Sequence, residues 1–269
     1  MMDRFERILI VGCGNMGGAI LQGWLVGGIA PSRVTVVDPG MKAVPAGVTV
    51  MPDMPGEEFD LVLLGVKPQA LDAVAPQVAP AVGSGTVLLS ILAGVELGTL
   101  SARFSANAGI VRLMPNLAAA IGKSPLALVA SGLGDREREA VDALVAPLGT
   151  PEWLPGEDLF DAVTALAGCG PGFVYRYIDA LAAGAVALGL QDDQAQRLAV
   201  ATVEGAAMLA ASSPHSPAEL ARRVASPGGS TQAGLDVLDD GGALAKLVEA
   251  AMHAAEKRSA EMGAAARGG

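Results

Sequence analysis

Six residues near the N-terminus, Gly12-Cys13-Gly14-Asn15-Met16-Gly17, restrict what this chain can fold into more than any other feature. They follow an aliphatic run over 8–11 and open a helical pattern over 16–26. Glycine permits a tight turn at the first position, lets a pyrophosphate approach the backbone at the third, and lets helix and strand pack closely at the sixth. The helix start then offers unpaired amides and the positive end of its dipole to phosphates. The spacing predicts a dinucleotide site on Gly12, Gly14, Asn15, Met16 and Gly17.

The rest of the first half supports that reading. Nearly continuous Val/Ile/Leu runs recur over 34–37, 61–66, 86–91, 110–113 and 126–130, with helical patterns over 69–78 and 136–148. Short strands without polar alternation are those covered on both faces. Their alternation with helices implies a doubly wound parallel sheet. After about Pro155 no strand pattern remains. Apolar residues recur at helical spacing over 174–188, 198–209 and 244–262. Pro151, Pro155 and Gly156 break any helix near 149–157. The expected organisation is a Rossmann-like domain over 1–155 and an all-helical domain over 156–269. Dense Ala and Gly around 182–185 would let helices of a second subunit approach closely.

Charge narrows the partners. The chain carries 18 basic and 28 acidic residues, a formal net charge of −10, and a pI near 4.7. A nucleic-acid surface needs clustered Lys and Arg, so that class is excluded. An anionic small molecule must be held by local donors, not by the overall field. Mean hydropathy is +0.45, yet the longest apolar candidate, 162–190, is interrupted by Pro171, Arg176 and Asp179. No membrane span is expected, and the charged N-terminus does not read as a signal peptide. Cys13 and Cys169 make no disulfide framework and suit a cytoplasmic protein.

Several residues at strand ends are candidates for binding. Asp38 ends the second strand, where a carboxylate accepts hydrogen bonds from ribose hydroxyls and repels a 2′-phosphate. It leans the chain towards NADH, or it is a turn former ahead of Pro39-Gly40. Arg33 lies at the wrong end of that strand to offset it, and Lys42 is close in sequence. Val66 ends the 61–66 run, and Lys67 and Pro68 follow it. Lys67 faces the cofactor, or it is a solvated residue at a helix start. Met114, Pro115 and Asn116 end the 110–113 run. Asn116 bonds the nicotinamide or substrate, or it simply caps the next segment.

In the helical half, Ser226-Pro227-Gly228-Gly229-Ser230-Thr231 stands just before a helical pattern. Such a loop can turn several amides towards one carboxylate, with hydroxyls alongside. The two histidines, His215 and His253, have no partner pattern for a triad, and no metal motif occurs. A hydroxyl-oxidising enzyme would want a general base. Reduction of a protonated imine mainly needs orientation and proximity.

Taken together, the chain resembles the pyrroline-5-carboxylate reductase family. The likeness rests on Gly12–Gly17, Val66-Lys67-Pro68-Gln69, Met114-Pro115-Asn116, 161–166 with 168–171, and above all 226–231 through Gly234-Leu235. It implies a Rossmann domain, a C-terminal helical dimerisation domain, and homodimers or larger rings. It implies NAD(P)H reducing pyrroline-5-carboxylate to L-proline, the last step of proline biosynthesis. On this likeness the amides of Gly228, Gly229, Ser230 and Thr231 hold the substrate carboxylate. The Thr231 hydroxyl bonds the ring nitrogen, Ser226 shapes the loop, and Met114, Pro115 and Asn116 line the nicotinamide side. Leu117-Ala118 and Asp38-Pro39 depart from the family pattern, the latter casting doubt on NADPH preference. Two rival readings are a dehydrogenase of small hydroxy acids and a non-catalytic dinucleotide sensor. The first needs a Lys or His within 171–190, where only Arg176 stands.

Overall fold

The computed structural model describes residues 4–40 and 44–267; Lys42 lies outside them. The chain divides into two compact units, one running to Gly168 and resuming at Ala255, the other spanning Cys169–Ala254.

The first unit is built on one eight-stranded sheet. Its strands are β1 (Ile8–Val11), β2 (Val34–Val37), β3 (Thr49–Met51), β4 (Leu61–Leu64), β5 (Val87–Ser90), β6 (Gly109–Met114), β7 (Ser124–Ser131) and β8 (Gly149–Trp153). They lie in the order β3-β2-β1-β4-β5-β6-β7-β8. The first six follow the strand order of dinucleotide-binding folds. Successive side chains point to opposite faces, so each strand feeds two cores. Ile8, Ile10, Leu61, Leu63 and Leu89 pack with Ile20, Leu21 and Trp24 of helix α1 (Asn15–Val26) on one face. Leu9, Val11, Val62, Leu64 and Leu88 pack on the other. They meet Leu71, Ala75 and Val78 of α2 (Leu71–Val78) and Leu100 of α3 (Leu97–Arg103). Helix α4 (Asp135–Val145) joins the first face, where the Trp24 indole N–H donates to the Leu144 carbonyl at 3.0 Å.

Three expectations are revised. The sheet is not wholly parallel, because β7 runs antiparallel to β6. The link between them is one 3-10 turn, Leu117–Ile121, closed by Gly122 at φ +67°. That is too short for the crossover a parallel pair requires. Second, 149–157 does more than break a helix, since 149–153 forms β8, parallel to β7 at the sheet's edge. Proline is tolerated there because an edge strand has ladder positions without a partner. Third, the first unit continues past 155. In α5 (Phe160–Val163), Phe160 is buried with Met114, Ala127 and Val129, and a π-helical turn follows over Thr164–Gly168. Burial of an aromatic ring on the sheet is reason enough for that segment to stay with it.

The second unit is helical. It contains α6 (Gly170–Ala187), α7 (Asp192–Ser212), α8 (Pro217–Val224), α9 (Ser230–Asp239) and the first half of α10 (Ala243–Arg267). Small residues set the approach of α6 to α7: Ala182, Ala195 and Ala199 are buried between them. Ser216 begins α8 with a reciprocal capping box to Glu219. This backbone and side-chain bonding holds the Glu219 carboxyl below its ordinary value. No helix among the described residues is long and apolar enough to cross a membrane.

Candidate active site

At the carboxyl ends of β1, β2 and β4 the first unit opens a cleft of about 450 Å³. In such sheets ligands bind where the strand order reverses, here between β1 and β4. Gly12, Gly14, Asp38, Val66 and Lys67 line the cleft together with Pro39, Asp53 and Gly65.

Each loop glycine has its own reason. Gly12 has φ +85°, and a Cβ there would come 2.8 Å from the Gly65 carbonyl carbon. Its N–H donates to the Val37 carbonyl at 2.9 Å, while Gly65 N–H donates to the Val11 carbonyl at 2.8 Å. The loop is thus sewn to both neighbouring strands. A Cβ on Gly17 would stand 2.6 Å from the Gly12 carbonyl oxygen, which fixes the approach of α1 to β1. Gly14 differs, because a Cβ there would meet nothing within 4 Å. Internal packing does not explain it, whereas a ligand backed against the bare loop does. Gly14 also begins α1 with no side-chain cap, leaving first-turn amides for an anion. These residues fit a dinucleotide pyrophosphate. Asn15 and Met16 stand in that first turn, and Pro68 starts a 3-10 turn after Lys67.

Asp38 does two things at once. Its Oδ2 accepts the Cys13 N–H at 2.7 Å and its Oδ1 accepts the Gly40 N–H at 2.8 Å. It is therefore a turn former that also braces the glycine loop. Burial, with the Asp38 charge second, pushes the Cys13 thiol up to about 11. Arg33 is engaged elsewhere, its guanidinium donating to the Phe5 carbonyl at 3.1 and 2.6 Å.

Met114, Pro115 and Asn116 are buried at the end of β6 and do not line that cleft. The Asn116 side chain is committed to structure. Its Oδ1 accepts the Ala118 N–H at 2.9 Å, and its Nδ2 donates to the Ala167 carbonyl at 2.9 Å. The capping alternative is thus seen, with an added tie to the π-helical turn. A second polar cluster lies behind it. Arg112 pairs with Glu157 at 2.6 Å and sits 3.9 Å from the centre of the Phe160 ring; Ser259 donates to Asp161 at 2.7 Å.

The Ser226–Thr231 segment in the second unit is a turn into a helix. Gly229 N–H donates to the Ser226 carbonyl at 2.9 Å, with Pro227 second and Gly228 third at φ +72°. That is the signature of a type II turn. Gly229 is the N-cap of α9 and no side chain caps it. Ser226, Gly228, Ser230 and Thr231 are exposed. The arrangement can hold a carboxylate on the first-turn amides with the Thr231 hydroxyl beside it. His215 follows α7, its N–H donating to the Ser213 hydroxyl at 3.1 Å, and His253 lies 3.9 Å from Glu249 on α10. No cluster of three or more metal-ligating side chains occurs among the described residues.

Sequence reasoning missed Gly65, Asp53 and Met54 in the cleft. Gly65 was detectable as a glycine ending an aliphatic run, which marks a close backbone approach. Asp53 and Met54 carry no such local signal.

The chain is similar to known proteins along its whole length. A family profile described as pyrroline-5-carboxylate reductase dimerisation matches residues 157–262. One described as NADP oxidoreductase, coenzyme F420-dependent, matches 7–94. The chain is 35% identical to a pyrroline-5-carboxylate reductase of Pseudomonas aeruginosa over 95% of its length and 96% of that protein. It is 36% identical to one from Methanosarcina acetivorans over 96% of its length and 98% of that protein. The crystal structure of a Plasmodium falciparum pyrroline carboxylate reductase with NADP bound superposes with a TM-score of 0.86 at 26% identity, covering 97% of this chain and 99% of that one.

Proposed function

The chain belongs to the pyrroline-5-carboxylate reductase family, and from that premise we propose how its residues divide the work. The enzyme reduces the C=N bond of 1-pyrroline-5-carboxylate to L-proline, taking up a proton and consuming NAD(P)H. NAD(P)H supplies the hydride that the imine carbon accepts.

The glycine loop and first turn of α1 hold the pyrophosphate, with Gly14 as its bare contact and Asp38 at the adenosine ribose. Val66 and Lys67 form part of the cleft's wall, and Pro68 starts the turn that follows them. Met114, Pro115 and Asn116 stiffen the end of β6 beside the nicotinamide, Asn116 acting through its bond to Ala167. The amides of Gly228–Thr231 hold the substrate carboxylate. The Thr231 hydroxyl bonds the ring nitrogen, whose proton is already in place in the reactive iminium. No dedicated base is then required. The observation that carries this reading is the uncapped start of α9 behind the Ser226–Gly229 turn, a carboxylate-sized set of donors in an acidic protein.

Most of the family's dimerisation segment lies in the second unit, and we propose a homodimer or larger ring built on it. We place the protein in the cytoplasm, where two free cysteines stay reduced. Absorbance at 340 nm with purified protein and pyrroline-5-carboxylate tests the activity. Loss of reduced coenzyme should match proline formed. Coenzyme consumption without proline, or none at all, would exclude it.

A further inference from the structure

We propose that Glu157, which lies outside the coenzyme cleft, is a positioning residue for the nicotinamide half of the coenzyme; the proposal rests on the dinucleotide reading of that cleft. Sheets of this strand order bind one mononucleotide on each half. With the adenosine ribose at Asp38 after β2, the nicotinamide half falls to the ends of β4, β5 and β6. The loop between β5 and α3, residues 91–96, stands at that edge. Its Ile91 N–H donates to the Leu64 carbonyl at 3.1 Å. A Cβ on Gly65, which lines the cleft, would stand 3.6 Å from the Ile91 side chain. Leu92 and Val95 of the loop are buried, whereas Ile91, Ala93 and Gly94 are half-buried.

The far end of the loop is fixed from a distance. Helix α3 begins at Leu97 and has no cap from the side chain of Glu96 before it. The Leu97 N–H donates instead to Glu157 Oε1 at 2.8 Å, across 60 residues. A carboxylate there satisfies an amide that the helix start leaves open and suits the positive end of its dipole. The same oxygen accepts from Arg112 Nη1 at 2.6 Å. Arg112 is buried on β6 with its guanidinium against the Phe160 ring. Contacts therefore run from the sheet through Arg112 and Glu157 to the start of α3, and so to the loop beside the cleft. Gly94 is pinned as well, since at φ +73° a Cβ there would come 2.8 Å from the Gly263 nitrogen of α10. A loop held in this way is a preformed wall, and a preformed wall costs little ordering when a ligand docks.

The test separates the nicotinamide from the rest of the coenzyme. Equilibrium titration of the intact protein compares each reduced coenzyme, NADH or NADPH, with the matching fragment that lacks nicotinamide, ADP-ribose or its 2′-phosphate. Leu97→Pro removes the N–H that Glu157 holds and leaves the Arg112–Glu157 pair in place. Proline is tolerated there, because Leu97 is the first helical residue and Glu96 before it is extended, at φ −81° and ψ 159°. Leu97→Ala keeps the N–H and controls for the lost side chain. Relative to Leu97→Ala, Leu97→Pro should weaken the reduced coenzyme about fivefold or more and leave the fragment unchanged. Glu157→Ala, read below its own melting temperature, should show the same split between coenzyme and fragment. Equal binding of the reduced coenzyme by the two Leu97 variants would overturn the proposal, as would a parallel loss of coenzyme and fragment, which is what a merely structural tie gives. Failure of every coenzyme and fragment to bind the wild type would instead overturn the dinucleotide reading.

Discussion

Gly14 and Gly17 lack side chains for different reasons, and substitution separates them. At Gly17 a methyl would press on the carbonyl oxygen of Gly12, a residue whose N–H is bonded to the Val37 carbonyl. Gly17→Ala should lose about 1–3 kcal/mol of stability. At Gly14 a methyl would meet only the cleft. Gly14→Ala should keep the melting temperature and weaken NADH binding about tenfold, ~1.4 kcal/mol. Thermal melts paired with coenzyme titrations check both, and equal effects at the two positions would refute the distinction. Cys13 supplies a pH prediction. Folding raises its thiol from 9.0 to about 11, so the folded state favours the protonated form. The associated stability is complete below 9.0 and is lost as the pH rises towards 11. Urea unfolding across that range should show a decline in the wild type that is smaller in Cys13→Ala.

Elements were legible where one physical signal dominated. β1, β2, β4, β5 and the helix after Gly14 follow directly from aliphatic runs and from glycine spacing. β3 escaped because Thr49 and Val50 are exposed on a short strand near the sheet's margin, so no burial pattern forms. β8 escaped because Pro151 reads as a breaker, and only its edge position makes it harmless. The direction of β7 depends on a nine-residue gap, 115–123, whose shortness outweighed the parallel pattern elsewhere. In the candidate site the glycine loop and the Ser226–Thr231 turn were readable as local motifs. The Asn116–Ala167 tie, across 51 residues, was not. Nor was the cluster joining Arg112 of β6 to Glu157. Arg112 is only 4% exposed, so removing its partner strands a buried cation. Glu157→Ala should cost about 3–5 kcal/mol in denaturant unfolding. A change below ~0.5 kcal/mol would show the pair to be dispensable.

The whole molecule has one feature that a single chain does not explain. The helical unit leaves Tyr175, Met208 and Leu247 each about two-thirds exposed, along with Leu198, Val200 and Leu209. Large exposed apolar surface marks an interaction face, and here the family's dimerisation segment coincides with it. Leu247→Asp should shift the light-scattering mass in solution down to that of a single chain, and an unchanged mass would place the interface elsewhere. The central claim concerns the chemistry: a cyclic imino acid is held by the start of α9, so that reduction proceeds without a proton-moving side chain. Its most direct test is the kcat/KM for pyrroline-5-carboxylate of Thr231→Ala against wild type at saturating coenzyme. The account predicts a loss of about tenfold or more, ~1.4 kcal/mol of transition-state binding, with coenzyme affinity unchanged. Identical kcat/KM values for the two proteins would contradict it.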